Sequence, residues 1–564
     1  MKLIIREYLA NLKERKELDA LLPDLLSQMG LDVFSKPDVG GRQYGVDVAA
    51  FGSIDGKEKK VYLFSVKSGD LGRKDWAGDA VQDLKPSLDE IIEVYINGHL
   101  PPKYNKYPIV ICLCFGGDVK ESVRLNVSKY EELKTTDRVS FEEWNGEVLA
   151  NHIEDYFLRD ELLPKESRKY LRKSLAILNE PDESFNYFKK LAISLTNIEC
   201  EEPKEVLRAL RQLSISLWIL YAWSRDEDNL ESIYCACEFS LLRAWKVATP
   251  YFAGKKNVEK NIESTLNSII NLYHQLSDEY LQKVVQPHVG NLYALSSSIN
   301  SHNSIDVNIK LFDILGRVAI HGLWSYSYLS KEYFLETESL MEGIRKQQDI
   351  VIQLINNNPL LMTPYKDEQA IDIFLAILFL SINRSSNDSI YPWLLNMIHS
   401  IDHQFKSNGM YPNNLSEYYE IIQHPKSSDK SYLEEVTQGS ILFPIIAAYA
   451  AKNAFGDIYK KVQEIKKTHL SHCNFQVWYP LGDSEEHFYS NTFRHGGVLS
   501  VNSEIIEGEE VFLKALESEC EATEHFKQLS AVALDIESII LLACRHYRIP
   551  PPLHFLFNTG EVVK

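Results

Sequence analysis

Eight consecutive apolar residues, Pro108 to Phe115 (PIVICLCF), restrict the fold of this chain more than any other stretch. A run of that length without polar alternation is the mark of a strand buried on both faces, and so of a sheet with layers packed above and below it. Around it the pattern switches between two periods. Leu18, Leu21, Leu22, Leu25, Leu26 and Met29 recur at three and four residues, which predicts one buried helix face. Residues 45–51 and 61–67 are short, β-branched or aromatic and bounded by turn residues, which predicts a strand pair joined by a hairpin loop at 52–57. Residues 79–96 read as helical, divided in two at Pro86, and 139–141 and 144–157 read as a last strand and a closing helix. The order helix, strand, strand, helix, strand, with distant strands joined through a helix, requires a mixed sheet flanked by helices.

Within that framework chemistry-bearing residues recur at the strand ends. Asp19 lies on the first helix beside its buried stripe, Asp47 on the first strand of the pair, and Ser65-Val66-Lys67 at the end of the second. Two carboxylates hold a hard divalent cation through oxygen, and a nearby lysine orients the attacking water or neutralises charge developing on a phosphate. Singly, an aspartate on an amphipathic helix is usually a solvated residue, and a lysine at a strand end says less still. The combination, with Gly45-Val46-Asp47-Val48 ahead of a hairpin and an apolar strand ending in Val66-Lys67, is what points to phosphodiester chemistry.

This text resembles the PD-(D/E)XK nuclease superfamily, of restriction-endonuclease-like fold, and within it the branch that cleaves modified or foreign DNA; the resemblance covers about residues 1–160. It implies an α/β domain acting as a metal-dependent endonuclease, with catalytic Asp19, Asp47, Ser65 and Lys67. It also implies Mg2+ or Mn2+ held by Asp47, the Val66 carbonyl and Asp19. Ser65 stands where the family carries Glu, Asp or sometimes Gln. The resemblance offers a migrated acid at Asp79 or Asp83 on the next helix, or loss of activity, as its counterparts.

Charge argues against binding by bulk electrostatics. The chain carries a net charge of -19, whereas association with phosphates is driven by basic surfaces that release counterions. Residues 1–165 hold 23 Lys and Arg against 29 Asp and Glu, a net of about -6. A nucleic-acid contact must therefore be local, and the candidate patch is Arg42 and Gln43 before the strand acid with Arg73, Lys74 and Trp76 after the lysine. The two basic residues suit phosphates or a solvated turn; Trp76 suits stacking on a base or capping the core.

Beyond a boundary at 163/164 helical periodicity takes over, in an all-helical, repeat-like region over 164–470 and a helical end over 471–564 that holds an irregular, aromatic-rich insertion at 472–501. No tetratricopeptide pattern is present. His399 and His403 share a helix face but lack the glutamate of helical zinc proteases, Arg317 and His321 are too close for the arginine-to-histidine spacing of helical ribonucleases, and no phosphate-cradling Gly-Lys-Ser or Gly-Lys-Thr loop occurs. Arg494 and His495 in the insertion are candidate ligand contacts or a structural turn. The eight cysteines are scattered and read as reduced thiols. The chain opens on no secretory signal, and its densest apolar run, 371–382, holds an aspartate and is too short to span a bilayer. The expectation is a cytoplasmic, membrane-free, homo-oligomeric nuclease effector of bacterial anti-phage defence, acting on DNA more readily than RNA, whose helical region binds a trigger or protein partner. A nuclease-fold adaptor without catalysis is the alternative.

Overall fold

The computed structural model describes residues 5–6, 9–10, 12, 18–35, 44–54, 56, 58–77, 83–156, 165–198, 202–226, 229–252, 254, 256–299, 301–329, 337–424, 429–490 and 496–557. The chain divides into two compact units, residues 1–272 and 273–564. The sequence-derived boundary at 163/164 lies outside the described residues.

The first unit is built on a five-stranded sheet. Helix α1 (Asp19–Gln28) precedes β1 (Asp32–Ser35), β2 (Val48–Gly52) and β3 (Lys60–Lys67); α2 (Arg73–Ala77) and α3 (Leu84–Glu90) lead to β4 (Ile109–Phe115); α4 (Glu121–Lys134) leads to β5 (Val139–Trp144), and α5 (Gly146–Tyr156) follows. Strand order is β1-β2-β3-β4-β5. The first two pairings are antiparallel and the last two parallel, so the sheet is mixed. Every residue of β4 is buried, the expected consequence of its unbroken apolar run in the interior of the sheet. Strand β1 escapes the sequence reading because it is four residues long, too short for its Val33-Phe34 pair to show an alternating pattern.

Alternation along the strands separates two cores. Val61, Leu63, Ile109, Ile111, Leu113 and Phe115 pack with Trp76, Leu84, Leu88, Ile91, Val123 and Val127 from the crossover helices. On the opposite face Phe64 meets Trp144 edge to face at 4.9 Å, and Trp144 lies 4.7 Å from the His152 ring of α5. Helix α1 packs against α5, β1 and β2, which puts it on that second side. Pro86 does not divide the helix around it. It falls in the first turn of α3, where a missing N–H costs no intrahelical bond. The irregularity comes later, where 91–99 winds as a wider π-type segment.

Among the described residues α6 (Lys165–Ala176), α7 (Pro181–Thr196), α8 (Pro203–Asp226) and α9 (Glu231–Ala248) follow in this unit. Arg211 on α8 donates to Gln28 Oε1 on α1 at 3.0 Å, tying them to the sheet's helical cover.

The second unit is mostly helical, with α10 (Asn257–Tyr280) running into it, then α11 (Ser304–Leu329), α12 (Thr337–Asn357), α13 (Ala370–Ser381) and α14 (Ile390–Ser407). After β6 (Gly439–Ser440) come α15 (Leu442–Lys452), α16 (Gly456–Thr468), β7 (Asn474–Tyr479), β8 (Gly497–Ser500), α17 (Glu509–Ala522) and α18 (Ser538–Tyr547). Strands β6, β7 and β8 form a three-stranded sheet, so the insertion expected to be irregular contributes two strands. Its Arg494 and His495 lie outside the described residues. No helix among the described residues is long and apolar enough to cross a membrane.

Candidate functional site

The approach to Asp47 is set by backbone conformation. Tyr44 and Gly45 both adopt left-handed φ, 50° and 80°, and the Tyr44 ring stacks on His99 at 4.1 Å. A Cβ on Gly45 would lie 2.1 Å from the Ser87 carbonyl oxygen of α3. Only glycine allows both the sign of φ and the approach of α3. The Gly-Val-Asp text thus has a packing reason independent of chemistry.

Asp47 sits one residue before β2, half-buried. Its amide donates to the Phe64 carbonyl at 2.9 Å, and its Oδ2 accepts the Val66 amide at 2.7 Å. The carboxylate therefore takes the position of a strand carbonyl and extends the β2–β3 ladder past its last paired residues, Val48 and Phe64. Val66 is fully buried, so its N–H needs that acceptor. The same carboxylate is close enough to act on the Cys114 thiol, which is raised chiefly by burial and secondarily by the Asp47 charge.

Alternation puts Ser65 and Lys67 on one face of β3 and Val66 on the other. Ser65 pairs with Leu113 and Lys67 with Phe115 in the parallel ladder to β4. Ser65 is 1 % exposed. Lys67, at the last position of β3, is half-buried. Beyond it the exits of β3 and β4 stay joined: Gly117 N–H donates to Gly69 O at 2.9 Å, Leu71 N–H to Asp118 O at 3.0 Å, and Asp118 N–H to Asp70 Oδ1 at 3.0 Å. Lys67 thus emerges at a fixed rim that carries the exposed acids Asp70 and Asp118.

Asp19 opens α1 in its first turn, half-buried, with Oδ1 shielded from solvent. Asp83 stands at the start of α3, where its backbone carbonyl accepts the Ser87 amide at 3.1 Å and hydroxyl at 3.0 Å. Asp79, Arg42 and Gln43 lie outside the described residues. Of the remaining patch, Arg73 and Lys74 are exposed, and Arg73 Nε donates to the Ser122 carbonyl at 3.0 Å, linking α2 to α4. Trp76 takes the core-capping role of the two the sequence left open. It is 4 % exposed and meets Tyr130 edge to face at 5.4 Å, with no ring face left for a base.

Among the described residues no three His, Cys, Asp or Glu side chains gather as a metal cage. The donor set at β2–β3 is one carboxylate with neighbouring backbone oxygens. That fits a cation such as Mg2+, which keeps several waters and takes one or two carboxylates with substrate phosphates completing its shell. It does not fit a structural ion held by protein alone.

In the second unit Arg317 and His321 are both buried on α11: Arg317 pairs with Asp313 at 3.0 Å, and His321 lies 3.4 Å from Asp278 and 3.2 Å from Gln347. They serve the interior of the helical stack. The sequence reading missed a second charged feature, the basic face of α6, whose Arg168, Lys169, Arg172 and Lys173 recur at the four-residue interval that marks one helix side.

The chain matches no known protein family, and no curated protein or solved structure aligns with it significantly.

Proposed function

We propose that the chain is a metal-dependent endonuclease of PD-(D/E)XK type, acting on DNA more readily than RNA. The observation that carries this reading is the bond from the Val66 amide to the Asp47 carboxylate, which fixes an acid against the middle of a triplet whose last residue is Lys67. The strand order, an antiparallel meander followed by two parallel strands reached through helices, agrees with it.

Asp47 and the Val66 carbonyl would hold Mg2+ or Mn2+, with Asp19 as a second carboxylate. The ion, when bound, supplies Lewis-acid polarisation of the phosphate and a more acidic water. Lys67 contributes a cation at the rim of β3 that neutralises charge on the scissile phosphate and orients the nucleophile. Ser65, buried and neutral, would hydrogen-bond a metal-coordinated water in place of the family's acid. By fold-level analogy with bacterial anti-phage effectors, the helical region would receive a trigger, a protein partner or a second copy.

A second reading, a nuclease-fold adaptor without catalysis, is favoured by one observation: the position that carries the family's acid is a serine sealed from solvent. A plasmid- and RNA-cleavage panel with Mg2+ or Mn2+ separates the two. The nuclease reading expects cleavage by wild type, and its loss in Asp47→Asn and Lys67→Ala at unchanged melting temperature. Cleavage that persists in both variants, or wild type that neither cleaves nor binds Mg2+ by calorimetry, sinks it.

A further inference from the structure

Helix α6 carries five basic residues and one acid in its twelve positions, within a chain of net charge -19. Arg168, Lys169, Arg172 and Lys173 line one open groove with Ala176. Their spacing at i, i+1, i+4 and i+5 sets four cations within about 8 Å along the helix axis. Antiparallel packing of α7 extends the surface. Ser167 and Ser194 hydroxyls lie 2.8 Å apart, and the Nζ atoms of Lys173 and Lys190 lie over the Tyr187 ring at 4.8 and 5.2 Å. Tyr187 thus holds a lysine of each helix on one side of the pair. Arg172 and Lys190 are exposed and form no ion pair with any described residue, so their charge is not cancelled locally.

We infer that the α6–α7 face is a docking surface for the phosphodiester backbone of nucleic acid. This rests on the nuclease reading for its choice of partner, since α6 and α7 belong to the same compact unit as the sheet that carries Asp47 and Lys67. A duplex presents one charge per about 1.7 Å of axis, and a short array of cations releases counterions from several phosphates at once. Because the chain as a whole repels polyanions, a local array of this kind is what productive contact requires. A membrane surface is the poorer fit. The apolar side of α6 is consumed by packing, with Leu171 and Leu175 buried, and among its described side chains those fully exposed are Lys169, Arg172, Lys173 and Ala176, while Tyr170 is half-buried, so little apolar surface is offered to lipid.

The test is binding of the full-length protein in EDTA, which removes cleavage, to a fluorescein-labelled DNA duplex and to an RNA duplex, read by anisotropy over a salt series. Vesicles of phosphatidylserine in phosphatidylcholine and poly-glutamate serve as the other polyanions. Arg172→Glu with Lys190→Glu should weaken duplex binding about tenfold or more at low salt and lower the slope of log K against log salt by about 2. The same charge change at exposed Lys129 and Lys260 of this unit should have a much smaller effect. An unchanged affinity in the α6–α7 variant, no duplex binding by wild type, or binding to vesicles or poly-glutamate but not to duplex would each overturn the proposal. The nuclease reading is scored separately. Cleavage that needs Asp47 but ignores the charge reversal leaves the nuclease and removes the docking face. Duplex binding that needs Arg172 and Lys190 in a protein that never cleaves does the reverse.

Discussion

Asp47 carries two roles that a single alanine substitution confounds. Its carboxylate accepts the buried Val66 amide, so Asp47→Ala strands a donor inside the sheet and costs about 1–3 kcal/mol of stability for that reason alone. Asp47→Asn keeps an oxygen at the same place and removes the charge. The expectation is a lower melting temperature for Asp47→Ala, a near-native one for Asp47→Asn, and the same loss of cleavage in both; equal melting temperatures for wild type and Asp47→Ala would mean that the amide finds another partner. Ser65 calls for the same care. Restoring an acid by Ser65→Glu places a larger, charged side chain at a position 1 % exposed, and burying an unpaired carboxylate is costly. Ser65→Glu should therefore melt lower than wild type in EDTA and recover part of the loss in millimolar Mg2+, because a ligand that binds only the folded state stabilises it. A deficit unchanged by Mg2+ would separate residue 65 from the metal.

At the scale of elements, the clearest departure from sequence pattern is around α15. Residues 431–453 carry a helical period and lie in the region expected to be all-helical, but the structure breaks them into Lys430–Val436, β6 and α15. The cause is remote. Asp367, 74 residues earlier, accepts the Ile441 amide at 2.8 Å and the Leu442 amide at 3.4 Å and is bonded to the Ser440 hydroxyl, so it caps α15 from another part of the chain. Gly439 and Ser440 pair with Asn474 and Phe475. Neither partner is near in sequence, and periodicity reports only local order. The same limit hid β7 and β8, whose register sets Gln476 opposite Ser500 and Tyr479 opposite Gly497. By contrast β3, β4 and α1 were legible, because each buries a face that its own residues spell out. At the site, the residues of the triplet were legible. The hydrogen bond that makes Asp47 part of the sheet, the burial of Ser65 and the burial of Trp76 were not, since each depends on which strand or helix lies alongside. The cap yields a direct test: Asp367→Ala should destabilise the protein by about 2–4 kcal/mol, by leaving buried amides at the start of α15 without an acceptor. Asp367→Asn should lose less, and a small effect of the alanine in chemical denaturation would show that water replaces the carboxylate.

For the molecule as a whole, buried histidines set the response to acid. In the second unit burial lowers His274 to about 3 and His321, His424 and His554 to about 4 each; the neighbouring His321 adds to the shift of His274. The two rings His274 and His321 lie 5.9 Å apart, with Asp278 beside His321. A folded-state value below the ordinary 6.5 means that the unfolded chain binds the proton first, so stability is complete above pH 6.5 and is lost as pH falls toward 4. Four carboxyls among the described residues oppose this. Burial raises Asp367 and Asp372 to about 6, Glu131 to about 7 and Glu485 above its ordinary value, so their folded-state protonation stabilises over part of the same interval. With His472 also lowered, chiefly by burial, the histidines prevail among the described residues of the second unit, five against three, and below the ordinary carboxylate range Asp313 adds to the loss because Arg317, Lys310, Arg545 and Arg548 hold it ionised. Calorimetry should find the melting temperature falling steadily between pH 7 and 5. His321, nearly enclosed, accounts for about 2 kcal/mol of that loss at pH 5. His321→Gln, which keeps a polar side chain beside Gln347 but cannot take up a proton, should flatten the fall by a corresponding amount. A wild-type melting temperature constant from pH 7 to 5, or a variant that follows wild type over that range, would place the titrating groups elsewhere.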